Sequence, residues 1–374
     1  MYLSLVAYLI KLKISSKLPS SKAELRILLV AIICFICEAL YVIFGYWILP
    51  ETTLPDLTIV IVVNFAWMIE CGLFAISTMA VNSRMDLLHV IIGIIYFVIS
   101  TTLFTLNALM LVTLHRAKDL HSGPQTIIKC ILICCMIQLV PFVVGGIMTI
   151  GDTEIHFYVD RILGVAVEAA WFPYISLSLA LPVDRLLIFV ASKRLVLRAH
   201  ITRLLITVSW MIGVAAVIVL CLPDFGYTYN SPEGRFGWSF YRGRVGAAVL
   251  ADIEIYYDLI AFGVILMAYL AALVYIVKYK SSFSSCSSNE VRVFIIALVS
   301  YIYEALFVAW SFVAPSLLRS RVSMRIVVNI LWMLDAGMFA LTTMVICKSM
   351  RKEMKKLFTK KANVVSIVKS YMSR

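Results

Sequence analysis

Asn82-Ser83-Arg84-Met85-Asp86-Leu87-Leu88 joins two long apolar runs, and the reading of this junction decides the fold. The run before it, 57–81, and the run after it, 88–114, are each long enough to cross a bilayer, which takes roughly 20 mostly apolar residues. Further runs lie at 26–49, 126–150, 162–183, 203–222, 249–277, 293–315 and 326–347, so the 374-residue chain carries nine. It is 62% hydrophobic and 14% charged, with a mean hydropathy of +0.98. A soluble domain is about half apolar. Hydrocarbon cannot satisfy bare backbone polar groups, so runs of this length read as helices. The expectation is an all-α membrane protein.

Basic residues orient the spans. From residue 88 onward, one side holds Arg116 and Lys118, then Arg185, Lys193, Arg194, Arg198 and Arg203, then Lys278, Lys280 and Arg292, and finally a Lys/Arg-rich tail from Lys348 to Arg374. The other side holds Arg161, Arg235, Arg242, Arg244, Arg319, Arg321 and Arg325. Basic loops stay cytoplasmic, so these seven spans run from an outside start near Asp86 to an inside tail. The first two runs conflict with that. Lys11, Lys13, Lys17, Lys22 and Arg26 put their start inside, and the uncharged-to-acidic turn Pro50–Asp56 fits outside, so the second run ends inside at Asn82–Arg84. A few residues cannot recross ~30 Å of hydrocarbon before Leu88.

The front pair is also a copy of the last pair. Glu24-Leu25-Arg26 and Glu38-Ala39-Leu40 reappear as Glu290-Val291-Arg292 and Glu304-Ala305-Leu306, and Trp67-Met68, Gly72 and Phe74-Ala75 reappear as Trp332-Met333, Gly337 and Phe339-Ala340. Two copies, one of them partial, make no solenoid, and a transporter's symmetry would relate the halves of a complete bundle. The simplest resolution is that 1–84 is an extra hairpin copying the sixth and seventh helices, brought in by gene fusion or a gene-model artefact. Met85 is then the expected start, 85–358 a seven-transmembrane domain, and 359–374 a basic cytoplasmic tail. The alternative is a true nine-span protein in which one run is tilted or fails to insert.

Several function classes are excluded at this level. Of the nine cysteines, Cys34, Cys37, Cys71, Cys130, Cys134, Cys135 and Cys347 lie within or at the ends of spans, where they read as small packing residues. No pair has zinc-ligand spacing outside the membrane, so no metal site and no cofactor are expected. Phosphate-cradling Gly loops and nucleophile elbows are absent, which speaks against an enzyme. The apolar run Leu3–Ile10 is short and lacks a preceding basic residue, unlike a signal peptide. Asn230-Ser231-Pro232 is not a glycosylation acceptor. The net charge of +12 sits beside the spans, as membrane orientation and attraction to lipid headgroups require, and not as a nucleic-acid surface would.

At the inner end of the third of the seven spans stands Leu181-Pro182-Val183-Asp184-Arg185-Leu186-Leu187. It resembles the Asp-Arg pair that closes the third helix of rhodopsin-like G-protein-coupled receptors. An Arg at that mouth, held by a carboxylate and released when the bundle opens, suits coupling to a G-protein helix; a plain positive-inside anchor is the other reading. Asn107 resembles the family's first-helix Asn and Trp210 its fourth-helix Trp. Lys348–Phe358 reads as an amphipathic basic helix with Met350, Met354, Leu357 and Phe358 on one face, suited to the membrane surface. Cys347 beside it is a lipidation candidate or a packing cysteine. Departures are plain: Thr342–Ile346 replaces Asn-Pro-x-x-Tyr, the second span lacks its Asp, and the sixth has no mid-helix Pro. The texture is similar to that of the nematode serpentine chemoreceptors, in Ile92-Gly93-Ile94-Ile95-Tyr96, in Leu179-Ala180-Leu181 with Asp184-Arg185, and in Asn329 with Trp332-Met333. That resemblance implies a multi-pass plasma-membrane receptor of sensory neuron cilia. It would bind a small environmental molecule in an outward-facing helix-bundle pocket and activate a heterotrimeric G protein.

An ionised side chain at mid-bilayer costs ~3 kcal/mol or more, so such residues face the bundle interior. Glu168, Glu304 and Asp335 lie near mid-depth with no Lys or Arg at their level. They are read either as protonated groups hydrogen-bonded to Asn329 or tyrosines, or as contacts to a cationic ligand or sodium. Asp252, Glu254, Tyr256, Tyr257 and Asp258 crowd the outer half of the fifth span, and Glu254 and Asp258, four apart, share a helical face. With Trp171, Trp310 and Trp332 they are candidates to line an aromatic pocket with a few polar handles, ordinary interhelical packing being the alternative for the tryptophans. The Gly- and aromatic-rich outer loop 223–248 is placed to fold over it. The competing functional class is a transporter or channel passing protons or cations along Glu168, Glu304 and Asp335.

Overall fold

The computed structural model describes residues 87–116, 123–190, 195–229, 236–241, 243–278, 288–317 and 321–359. The duplicated front hairpin, the junction Asn82–Asp86 and the tail beyond Thr359 lie outside these residues. The bundle is the compact unit Ile92–Met354.

Ten elements follow in order: α1 (Leu87–Arg116), α2 (Gly123–Gly151), α3 (Phe157–Val190), α4 (Leu195–Leu220), β1 (Tyr227–Thr228), β2 (Ser239–Phe240), α5 (Val245–Lys278), α6 (Ser288–Leu317), α7 (Arg321–Ile346) and α8 (Lys348–Thr359). Among the described residues seven helices, α1 to α7, are long and apolar enough to cross a membrane, and each coincides with one of the seven runs expected from residue 88 on. Several outrun the apolar stretch that predicts them, because helical hydrogen bonding continues into the polar flanks. Pro141 in α2 and Pro173 and Pro182 in α3 are accommodated within helices, as transmembrane helices allow when neighbours satisfy the freed carbonyls. The fold is an all-α seven-helix transmembrane bundle.

α3 is its axis. It packs against α2, α4, α5 and α6 and against strand β1, while α7 packs on α6 and α2. Its stretch Val167–Ile175 is buried throughout. The outer faces of the peripheral helices are apolar and exposed, as with Leu204, Met211, Val214 and Ile218 on α4 and Tyr256, Ile260 and Met267 on α5. In a soluble protein such surface would be a liability; here it is the lipid face.

Small residues and carbonyl contacts lock α1. A Cβ on Gly93 would lie 2.6 Å from the Gly146 carbonyl oxygen, and one on Gly146 2.7 Å from the Phe97 nitrogen. The α1 and α2 backbones therefore touch, the packing mode that replaces hydrophobic driving force inside lipid. Deeper in the bundle, fully buried Asn107 donates to the Ala336 carbonyl of α7 at 3.0 Å and to its own helix at Leu103, also 3.0 Å. On α4, Trp210 lies beside Cys130 of α2. The residues that resemble the receptor family's first- and fourth-helix markers thus sit at helix–helix contacts.

Gly146→Leu should force α1 and α2 apart and cost about 1–3 kcal/mol or more, as overpacking a tight contact does. A melting curve in detergent would show a lower midpoint for this variant than for Gly263→Leu, a site with open space around it; equal midpoints would contradict the backbone contact.

Candidate functional site

Aromatic rings from four elements meet in the outer half of the bundle. Trp171 of α3 and Trp332 of α7 lie edge to face, with ring centroids 5.6 Å apart. Phe307 of α6 stands 5.9 Å from Trp171, Phe142 of α2 stands 5.8 Å from Trp332, and Tyr174 stands 5.5 Å from Trp171. Edge-to-face pairs of this kind add to the burial they already provide. Each indole N–H then needs an acceptor. Trp332 Nε1 donates to Gln138 Oε1 at 2.7 Å, and Gln138 Nε2 donates to the Ala170 carbonyl of α3 at 3.4 Å, so one amide ties α2, α3 and α7. Trp171 Nε1 donates to both carboxyl oxygens of Asp258, at 3.2 and 3.3 Å, tying α3 to α5. One residue earlier on α5, the Tyr257 hydroxyl donates to the Phe172 carbonyl at 2.8 Å and lies 2.6 Å from Ser176 Oγ.

The carboxyls expected near mid-depth turn inward. Glu168, Glu304, Asp335 and Asp258 are all buried, and Glu254 is half-buried beside Glu168. Glu168 also faces Asp258, and Glu304 and Asp335 face each other and Asp258. Tyr174 is the hydroxyl beside Asp335, and Ser178 the one beside Glu304. Neither oxygen of Glu168 or of Asp335 completes a hydrogen bond, nor does Glu304 Oε1. Asn329, considered at the sequence level as a partner for these acids, is not one. Its Nδ2 donates to the Arg325 carbonyl at 2.9 Å, and its Oδ1 accepts from the Trp238 backbone at 3.1 Å. Trp310 makes none of the ring contacts of the cage, and its buried indole N–H is unpaired.

The outer loop closes the cage. β1 and β2 form a two-strand hairpin, Tyr227 opposite Phe240 and Thr228 opposite Ser239. Asp160 in the first turn of α3 accepts from the Thr228 hydroxyl and from the Tyr229 backbone at 2.9 Å. A carboxylate at a helix N-terminus is well placed for this. The Tyr229 hydroxyl pairs with Thr149 of α2, Tyr96 of α1 donates to the Phe236 carbonyl at 2.7 Å, and Trp238 Nε1 donates to the Pro141 carbonyl at 3.3 Å. Two glycines permit the fit. A Cβ on Gly164 would fall 1.9 Å from the Tyr227 carbonyl oxygen, and Gly237 has a φ of +152° with Asn329 directly against it. Tyr227 reaches down to Trp332, with centroids 6.0 Å apart. Burial pushes both loop phenols, Tyr227 and Tyr229, well above their ordinary range, so they remain neutral. Gln138 and Asp160 were not legible as site residues. The sequence offers Tyr227 and Trp238 as aromatics of a loop over the pocket, but nothing in it ties a loop tyrosine to a seventh-helix tryptophan.

At the C-terminal end of α3, Asp184 and Arg185 are both buried, at 0% and 4% exposure, which is deeper than a simple charge anchor needs. Asp184 accepts from the Thr202 hydroxyl of α4 at 2.8 Å. Arg185 lies within electrostatic reach of Tyr269 on α5, which packs against Phe294 and Tyr301 of α6 at 5.6 and 5.4 Å. Helix α8 forms as expected, and Arg351 caps α7 by donating to the Met344 and Val345 carbonyls at 3.0 and 2.6 Å. Cys347 is buried, which fits the packing role; acylation there requires α8 to shift. Among the described residues, no group of His, Cys, Asp or Glu is arranged to hold a metal ion.

Gln138→Leu should leave the Trp332 indole unpaired at a cost of about 1–3 kcal/mol and loosen the α2–α3–α7 contact. Tryptophan fluorescence and the melting midpoint together check this; a variant as stable as the parent with an unchanged spectrum would contradict it.

No protein-family model matches the chain, and no curated protein is detectably related to it in sequence. Among solved structures, squid rhodopsin matches with a TM-score of 0.62 at 12% sequence identity, covering 74% of this chain and 86% of that one. At that identity the likeness is one of fold: the chain is built on the seven-helix architecture of rhodopsin.

Proposed function

We propose that the chain is a chemosensory G-protein-coupled receptor of the plasma membrane, of the serpentine kind found in sensory neuron cilia. It takes a small environmental molecule into the aromatic cage under the outer hairpin and passes the signal to a heterotrimeric G protein. The supporting observation is that one helix carries both ends of the route. Glu168 and Trp171 lie in the cage, and Asp184 and Arg185 lie at the cytoplasmic mouth of the same α3, the span from Glu168 to Arg185 being about 26 Å of helix. A ligand wedged between Trp171, Trp332 and Phe307 acts on α3, α6 and α7 at once. Thr202 and the Tyr269 layer hold the inner end, so displacement of α5 and α6 would free Arg185. Function resides in this reading in 85–358, with 1–84 a dispensable duplicate.

Cells expressing residues 85–374 should give the same ligand-dependent calcium or cyclic-nucleotide response as cells expressing the full chain. Arg185→Ala should abolish that response while surface expression persists. A normal response from Arg185→Ala would remove the coupling role. Ion flux without ligand would instead favour a channel or transporter built on the same buried acids.

A further inference from the structure

We propose that the ligand class of the cage is a linear diamine or polyamine, one ammonium held between Glu168 and Glu254 and a second between Glu304 and Asp335. The proposal rests on the small-molecule receptor reading and names what that receptor detects.

Glu168, Glu304 and Asp335 are at most 1% exposed, and they carry the unsatisfied carboxyl oxygens described above. None of the acids of the cage makes an ion pair among the described residues. Holding an ionised carboxylate in the bundle without a counter-charge is costly. Glu168 has Glu254 beside it and Asp335 has Tyr174, neither of them a cation, and an incoming cation with N–H donors would supply the counter-charge and engage the open oxygens. The acids also fall on two levels. Glu168 neighbours Glu254, whereas Asp335 and Glu304 neighbour Tyr174, which lies six residues further along α3 and so about 9 Å deeper. Asp258 lies between, in electrostatic reach of both groups and anchored by Trp171. The acids do not converge as a metal site would, so a single point charge cannot serve both levels. Between the levels stand the faces and edges of Trp171, Trp332 and Phe307. These rings touch one another, with centroids 5.6 to 6.4 Å apart, so a guest enters by parting them; aromatic faces then accept a methylene chain and attract ammonium heads. The chemistry asks for two positive ends joined by an apolar linker.

The test uses the purified full chain in lipid nanodiscs, with 1,5-diaminopentane as probe and 1-aminopentane and 1,5-pentanediol as controls, read by direct binding without G protein. The diamine should bind at least about 30-fold more tightly than the monoamine, and the diol should not bind. Glu168→Gln and Asp335→Asn should each weaken diamine binding by about 30-fold or more, to the level of the monoamine. Equal binding of diamine and diol, or unchanged diamine binding in both variants, overturns the proposal. If the variants fail to fold, a chain-length series on the wild-type protein decides: a single optimum length supports two fixed acid levels, and a steady rise with each added methylene overturns them. The outcome separates from the parent reading. Arg185-dependent responses to neutral molecules, with no diamine binding, discard the ligand class and leave the receptor. Diamine binding with no G-protein response does the reverse.

Discussion

A carboxyl group in hydrocarbon must find its surroundings within the protein, and in this chain five acids from α3, α5, α6 and α7 are placed in the bundle at once. That requirement sets the rotation of these helices about their own axes. Turning α3 so that Glu168 points inward also turns in Trp171 and Ile175, three and seven residues on, because helical neighbours share a face. The same turn on α5 brings in Asp258 and leaves Tyr256 and Ile260 outside. On α7 it places Trp332 and Asp335 together and presents the Ala336 carbonyl to Asn107. The aromatic cage and the α1–α7 link both follow from where the charges can go.

The polar cross-links then work against a background with little hydrophobic preference between helices, since lipid is as apolar as leucine. Specificity comes from polar groups that find their one or two partners only in this arrangement of helices. Gln138 serves two helices through one amide, Asp258 takes an indole, and Tyr257 and Tyr301 donate to carbonyls of neighbouring helices. The outer hairpin is held in the same way, half through backbone atoms of Tyr229, Phe236 and Trp238 and half through the side chains of Thr228, Tyr229 and Trp238.

This division explains what was readable. The seven spans follow from run length and composition alone. The inward acids were legible because only one environment tolerates them. Asp184 and Arg185 stood out by sequence, and their burial agrees with more than an anchor. The partners were not legible. Trp332 and Gln138 are 194 residues apart, and Tyr96 and the Phe236 carbonyl 140, so their pairing depends on helix rotations that no local pattern encodes. Asn329 shows the same limit: it lies near the acids in depth, yet the hairpin claims it. The duplicated hairpin lies outside the described residues, and its place is argued from charge and topology alone.

The hairpin over the cage has a consequence in time. It is fastened at once to α1, α2, α3 and α7 by hydrogen bonds at Tyr96, Thr149, Asp160, Pro141 and Asn329. Several of these must break together before a molecule beneath it can leave outward. Affinity differences reside mostly in departure rates, and a cap fastened at many points slows departure without adding contacts to the guest. In the receptor proposed above, such a cap would average the surroundings over the dwell of each guest, so that sustained exposure is reported and brief fluctuations are smoothed.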